Sequence, residues 1–509
     1  MRRAARFALA VPMLVLAACG SGESILDAGN DPSGGGASAT TGVGSTTPAV
    51  TQPGETTTTA APVTTVATPL DDLPPCPVDA LADASGTVDV TFWHGMTGVL
   101  EDALVALTNE YNASQSKVRV TIQNQGGYEQ TLDKYIQSGQ SNRPDLVQLP
   151  EYTVQLMADT DSVIPIGACI EASSFDTEPF LPRALAAYAT EGVQWSMPFN
   201  VSDPVLYYNK SMFRAAGLDP EAPPVSLEDL RAASQQIVDS GAASYGIAFD
   251  TGFDSGGGWF VEQWFAKLHE FYADNENGRS SPATRVLYDG PAAIDLFTQV
   301  QSMVLDGIAV NVGDNASGQD SFLKMADRTS PAAMTIGTSA ALGTVLSVVN
   351  GGLIPGITAE DIGVGPMPGP GGAPGVLVGG ASLWIVDGRP AESSAAAWDY
   401  IQFLVSAAAQ STWASATGYV PIREDAVELE PLATTYATDP RFKVAYDQLT
   451  AEADDPSANG PILGPLREVR VVTARAVADI MNGADVQTSL STAAAQANAL
   501  IADYTARNP

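Results

Sequence analysis

Between residues 88 and 150 the apolar positions recur with two alternating periods. VDVTFWH (88–94) and KVRVTIQ (117–123) alternate as half-buried strands do, and RPDLVQLP (143–150) holds a third short strand. Between them VLEDALVALTNEYN (99–112) places Leu100, Leu104, Leu107 and Tyr111 at helical spacing, and YEQTLDKYIQSG (128–139) reads as a second helix. This strand–helix order predicts an α/β unit, a parallel sheet with helices covering it. In such sheets ligands sit beyond the carboxyl ends of the strands. Trp93, His94, the loop GGYEQ and Glu151 fall there.

The pattern restarts after residue 204. FNVSDPVLYYNK (199–210) carries a buried strand at Val205 to Tyr208. Its entrance is unusual: Pro204 has no N–H and holds Asp203 extended, so the chain turns or crosses over beside the small polar Asn200 and Ser202. SYGIAFD (244–250) and PAAMTIGTSAAL (331–342) follow as strands. The loop GVGPMPGPGGAPG (363–375) then leads into VLVGGASLWIV (376–386). Gly363, Gly365 and Gly369 do not make a nucleotide loop, because Pro366 and Pro368 forbid the helix that must follow one; the stretch reads as a surface connection. A chain of 509 residues should form two units, and with no linker between 86 and 509 they must share crossovers, Pro204 marking one.

Composition changes the picture at the N-terminus. Residues 1–18 carry three arginines, no acid and an apolar run too short to span a bilayer, which is the pattern of a secretory signal peptide. The run ends in LAACG, a lipobox-like signal that makes Cys19 the expected lipidation site and mature N-terminus. Residues 19–75 are Gly, Ser, Thr, Ala and Pro with no apolar period, a disordered tether whose root-mean-square span is about 40 Å. These features place the folded part outside the cytoplasm, lipid-anchored to a bacterial membrane. Removing Arg2, Arg3 and Arg6 moves the formal net charge from −34 to −37, which disfavours nucleic acid as a partner. An anionic ligand would need a local cluster of donors acting against that field. Cys76 and Cys169 remain; in an exported protein such a pair usually bridges, the alternative being two buried thiols. His94 and His269 lack ligand spacing, so neither metal nor any other cofactor is expected. No G-x-S-x-G occurs and no carboxylate pair is singled out, so the chain is not expected to be an enzyme.

FWHGMTG (92–98), GGYEQTL (126–132), PFNVSDPVLYYNKSMFRAAGLDPEAPPVSLEDL (198–230), GGASLW (379–384), TGYVPI (417–422) and EVRVV (468–472) together resemble the extracellular solute-binding proteins of ABC importers. Among these they are most similar to the glycerol-phosphate-binding branch, with the likeness running from about Val88 to Arg507. The resemblance implies a two-lobe, maltose-binding-protein-like clamp with the ligand in the interlobe cleft. Lobe 1 would hold 86–203 and 376–428, lobe 2 would hold 204–375 and 429–509, and the crossovers would form the hinge. It implies a monomer that delivers a phosphate-bearing small molecule, sn-glycerol 3-phosphate or a glycerophosphodiester, to permease subunits in the membrane.

Carried over position by position, the resemblance makes Tyr128, Glu151, Ser202, Gly380, Tyr419 and Arg470 ligand contacts. The chemistry suits them: guanidinium, hydroxyls and a glycine N–H for phosphate, and a carboxylate for a glycerol diol. Two departures alter the expectation. Thr338 and Ser339 stand where the branch has one serine, so either hydroxyl can be the donor. Leu227 stands where its best-known member has a tryptophan, which opens volume for a diester such as glycerophosphocholine, with Trp259 as a replacement face for the cationic head. The competing expectation is a sugar- or oligosaccharide-binding protein on the same scaffold.

Overall fold

The computed structural model describes residues 73–314, 319–372, 375–451 and 455–508. The expected signal peptide, Cys19 and most of the expected tether lie outside them. In chain order the strands are β1 (Val88–His94), β2 (Val118–Asn124), β3 (Leu146–Pro150), β4 (Val163–Ile164) and a short hairpin of β5 (Ala189–Thr190) with β6 (Val193–Gln194). They continue as β7 (Met197–Ser202), β8 (Pro204–Asn209), β9 (Tyr245–Phe249), β10 (Ala309–Asn311), β11 (Ala332–Thr338), β12 (Ile362–Pro366) and β13 (Gly379–Val386).

Two larger sheets result. The first runs β2-β1-β3-β13-β4, with β7 also paired to β13; the second runs β10-β9-β11-β8-β12. β1 pairs in parallel with β2 and β3, as the strand–helix alternation predicts, whereas β13 returns antiparallel to β3. The sheet is therefore mixed, because its last strand arrives from the far end of the chain. The covering helix Val99–Ser114 buries Leu104, Leu107 and Tyr111 on the expected stripe and leaves Leu100 half-buried.

The crossover at Pro204 is abrupt. β7 belongs to the first sheet and β8 to the second, with Asp203 alone between them, and every residue from Met197 to Asn209 is buried. Such a burial favours partnered polar groups, and among the described residues Asp203 Oδ2 is the exception on this stretch. The Asn200 Oδ1 accepts from Gln148 Nε2 at 2.7 Å. Asp203 Oδ1 accepts from Gln448 Nε2 at 2.9 Å, and its carbonyl accepts from Ser339 N at 2.8 Å. Two further side chains stitch the same region. Arg183 donates to the carbonyls of Leu449 (2.8 Å), Ala458 (2.7 Å) and Val376, and Arg279 donates to those of Gly460 (2.9 Å), Ala186 (2.9 Å) and Asn459. Desolvation pushes the Arg279 guanidinium down to about 10.

The Pro/Gly loop is not the surface connection its composition suggests. Met367, Pro368 and Gly369 are buried, Trp264 Nε1 donates to the Pro368 carbonyl at 3.1 Å, and the Lys267 stem lies against Gly369. Prolines carry no N–H to satisfy and glycines no bulk, so this segment can be buried at little hydrogen-bonding cost.

Cys76 and Cys169 form a disulfide closing 93 residues of chain. A loop of that length restricts the unfolded ensemble by roughly 4–5 kcal/mol. Cys169→Ser should lower the unfolding free energy by about 2–4 kcal/mol in denaturant titration; an unchanged midpoint would show that the bridge is dispensable.

Burial raises the carboxyl pKa of Asp203 well above its usual value, and those of Asp250 and Asp145 less far. The folded chain then binds protons that the unfolded chain releases, so each group costs stability at neutral pH and the cost disappears as pH falls through its folded pKa. Asp274, Asp361 and Asp455 are shifted the other way by their hydrogen bonds; their contribution is lost only below the ordinary carboxylate range. His94, whose imidazole burial holds below its usual value, acts in the opposite sense on acidification, so the carboxyl cost is read by comparison. The gain in thermal midpoint from about pH 8 to about pH 5 should be smaller in Asp203→Asn, which removes one of these costs, than in the parent chain. An equal pH dependence in the two contradicts this assignment.

Candidate functional site

The helix Leu466–Met481 packs against the helix Pro291–Leu305, which lies on β10 of the second sheet, and also touches the 3-10 turn Glu151–Thr153 that follows β3 of the first. Its residue Arg470 is 1 % exposed and meets three carboxylates. Nε and Nη2 donate as a fork to Glu262 at 2.7 and 2.8 Å; Nη2 also donates to Glu151 at 2.8 Å and Nη1 to Asp254 at 3.3 Å. Four of the five guanidinium N–H groups are thereby used. The Tyr152 ring stands 5.1 Å from the guanidinium carbon.

Burial alone would lower the Arg470 pKa, but Glu262 and then Glu151 outweigh it and raise it well above the ordinary value. Glu151 is raised by desolvation, with Arg470 opposing, and Asp254 is raised well above its usual range by desolvation and then by Glu151. Three acids on one cation cannot all ionise without cost. The cavity between Arg470, Glu151, Glu262 and Arg279 measures about 20 Å³, room for one water.

A second group forms on the first sheet. Tyr128 opens the helix Tyr128–Gln137; its hydroxyl accepts from Asn200 Nδ2 at 2.7 Å and lies 3.1 Å from that of Tyr419. Tyr419 stacks on Trp413 with ring centroids 5.5 Å apart. Gly380 lies over Asn200: it has φ +93°, and a Cβ there would stand 1.9 Å from the Asn200 carbonyl oxygen, so only glycine fits. Ser202 is 3 % exposed and pairs with Gly379 in the β7–β13 ladder. Trp259 presses the benzo ring of its indole on Gly379, and its Nε1 has no hydrogen-bond partner among the described residues.

The remaining expected residues lie at the crossover or beyond it. The Thr338 hydroxyl accepts from Ala340 N at 3.3 Å, and Ser339 bonds the Asp203 backbone. Leu227 opens the helix Leu227–Ser240 with 3 % exposure, and its N–H donates to the Gly369 carbonyl at 3.1 Å. Of the expected set, Glu151 and Arg470 line the 20 Å³ cavity.

Sequence reasoning missed Asp254, Glu262 and Tyr188. Glu262 carries a readable signal: it is an acid inside GGGWFVEQW, on a helix, Trp259–Lys267, buried at every position. Asp254 sits in a glycine-rich loop held by Asp250, whose Oδ1 accepts from the Gly252 and Gly256 N–H groups, and no spacing marks it. Tyr188 is fully buried with its hydroxyl unpartnered among the described residues, within electrostatic reach of Glu151, Tyr419 and Tyr128. Among the described residues no cluster could hold a metal ion and no helix is long and apolar enough to cross a membrane.

The two polar groups lie within electrostatic reach of one another, Tyr419 feeling the charges of Asp254 and Glu151. Known proteins share the sequence and the fold. The chain is 28% identical over 432 residues to the sn-glycerol-3-phosphate-binding periplasmic protein UgpB of Pectobacterium atrosepticum, covering 82% of this chain and 93% of that protein. It is 27% identical to the Escherichia coli protein of the same name, covering 83% and 94%. Its fold is similar to that of UgpB from Mycobacterium tuberculosis, solved in complex with glycerophosphocholine (TM-score 0.67, 21% identity, 83% of this chain and 100% of that one). It is also similar to the cyclic alpha-maltosyl-1,6-maltose binding protein of Arthrobacter globiformis (TM-score 0.64, 21% identity, 82% and 99%). These neighbours carry the two-lobe, maltose-binding-protein-like fold, and their ligands differ. Residues 106–444 match the family of bacterial extracellular solute-binding proteins, and the chain belongs to it: a binding component of ABC-type transport and not an enzyme.

Proposed function

We propose that this protein captures a glycerol-phosphate compound, foremost a glycerophosphodiester, in the cleft between its lobes and delivers it to an ABC permease while anchored to the membrane through lipid on Cys19. The observation that carries the reading is the contact of Arg470, from the second-sheet side, with Glu151, from the first, at 2.8 Å across the cleft. A ligand that inserts there exchanges a protein carboxylate for its own phosphoryl oxygen on the guanidinium and offers hydroxyls to the released Glu151. Closure around it shifts the open–closed equilibrium toward the form that docks. Tyr128, Tyr419, Ser202, Gly380, Thr338 and Ser339 line the floor and far wall in this reading, Leu227 leaves space for a diester's second substituent, and Trp259 faces that substituent. The 28% identity to glycerol-3-phosphate-binding relatives over most of the chain supports the ligand class.

A sugar is the second reading. The Tyr128–Asn200–Tyr419 network and the excess of carboxylates suit a neutral polyol as well.

Calorimetry with glycerophosphocholine, glycerol 3-phosphate and maltose separates them. The expected result is binding of a glycerophosphate compound and none of maltose. Arg470→Ala should weaken it roughly 30-fold or more; the near-isosteric Glu151→Gln, which leaves the buried guanidinium its Glu262 partner, should weaken it about tenfold with an unchanged circular-dichroism spectrum. Binding of maltose alone, or full affinity in both variants, overturns the reading.

A further inference from the structure

The charge count around Arg470 is a problem for any phosphate-bearing ligand. One guanidinium faces three carboxylates, and the whole chain is strongly acidic. The three carboxylates are not equivalent. Glu262 is 2 % exposed and holds Arg470 by a two-point fork on the same helix face as Trp259, so it neutralises the cation permanently. Glu151 belongs to the other lobe and departs when the lobes open. Asp254 makes one long contact of 3.3 Å, keeps 31 % of its side chain exposed, and remains beside Arg470 whether the cleft is open or shut, since both lie on the second-sheet side. An arriving anion therefore meets Asp254.

The groups facing Asp254 come from every element around it. Glu151 and Tyr152 approach from the turn after β3, Glu129 from the helix Tyr128–Gln137, Glu262 from the helix Trp259–Lys267, Arg470 from the helix Leu466–Met481, and Tyr419 from the first-sheet wall. Glu129 is itself engaged by Arg467 and by the Tyr152 hydroxyl. Acids outnumber cations at this place, and a monoanion added to it raises the cost of every ionised carboxylate. A second, independent feature points to an acceptor-bearing guest. The Tyr188 hydroxyl and the Trp259 indole N–H are both buried beyond nine-tenths and lack partners among the described residues; Tyr188 feels the charge of Glu151, and the Trp259 ring lies against Gly379. Neutral donors of this kind suit phosphoryl oxygens without adding charge.

Resting on the glycerophosphate reading, we propose that Asp254 is the residue that admits an anionic ligand to this site, taking up one proton from solvent as the phosphoryl group arrives. Protonated, Asp254 ceases to repel the anion and becomes a donor to it, while Glu262 keeps Arg470 in place. Desolvation and then Glu151 already hold the Asp254 carboxyl well above the usual carboxylate range, so protonation is the direction in which a further negative charge moves it. A neutral sugar would bind with no such uptake, so the device also sets the preference among guests: a singly charged diester requires one proton, and a doubly charged monoester requires more than Asp254 can supply.

Glycerophosphoglycerol is the probe, because its diester keeps one negative charge throughout about pH 5.5–8.5 and, unlike glycerophosphocholine, it brings no cationic head to offset that charge. Calorimetry in buffers of different ionisation enthalpy should show net proton uptake on binding, up to one proton per ligand, with affinity rising by up to about tenfold per pH unit on acidification. In Asp254→Asn, which preserves shape and mimics the neutral acid, the uptake should fall by more than half and the pH profile should flatten. Tyr188→Phe, which removes one hydroxyl, should weaken binding about tenfold while leaving the proton uptake unchanged. Ligand binding without proton uptake, or uptake that survives in Asp254→Asn, overturns the proposal while leaving the ligand class standing. Binding of maltose with none of either glycerophosphodiester overturns the ligand class and the proposal together.

Discussion

A guanidinium buried to 1 % exposure is tenable only if its charge and its N–H groups are answered on the spot. Arg470 satisfies that condition with Glu262 on its own side, Asp254 from a glycine-rich loop and Glu151 from the other sheet. Removing one partner of such a buried pair typically costs about 3–5 kcal/mol, so the positions of the three acid-bearing segments are mutually enforced. The loop at Asp250, the wholly buried helix Trp259–Lys267 and the turn after β3 can be read as parts that exist in these places because Arg470 requires them.

The crossovers make that convergence possible. Asp203 is the single residue between the sheets at β7–β8, and its partners Gln448 and Ser339 come from later in the chain. Arg183 and Arg279 spend their N–H groups on backbone carbonyls from several crossing segments, so the junction is tied by hydrogen bonds as well as by the buried apolar residues of β7 and β8. The lobes are then held together near the cleft by ion pairs, Arg470 to Glu151 inside and Arg467 to Glu129 and Asp133 nearer the surface. Ion pairs can be exchanged for ligand contacts at modest net cost, which apolar interfaces cannot, and a binding protein that must open and shut needs that property.

Much of the architecture is legible in the chain because it rests on short-range periodicity. The apolar stripe of residues 99–112, the alternation at 88–94 and the stop imposed by Pro204 each carry their element in a few residues. The antiparallel return of β13 and the burial of the Pro/Gly loop are decided by segments far away, and no local pattern encodes them. The site divides the same way. Arg470 lies in the EVRVV block and Glu151 directly follows the strand predicted at 143–150, whereas Asp254 acquires its role only when its loop folds against a helix more than two hundred residues later. Tyr188 looks like any core tyrosine until its hydroxyl is found without a partner.

The most direct measurement is a crystal structure of the protein grown with glycerophosphocholine. It should place the phosphoryl group between the sheets, within hydrogen-bonding distance of Arg470, with Glu151 turned from the guanidinium to the glycerol hydroxyls. An undisturbed Arg470–Glu151 pair, with the ligand held elsewhere or by one lobe alone, would contradict the account.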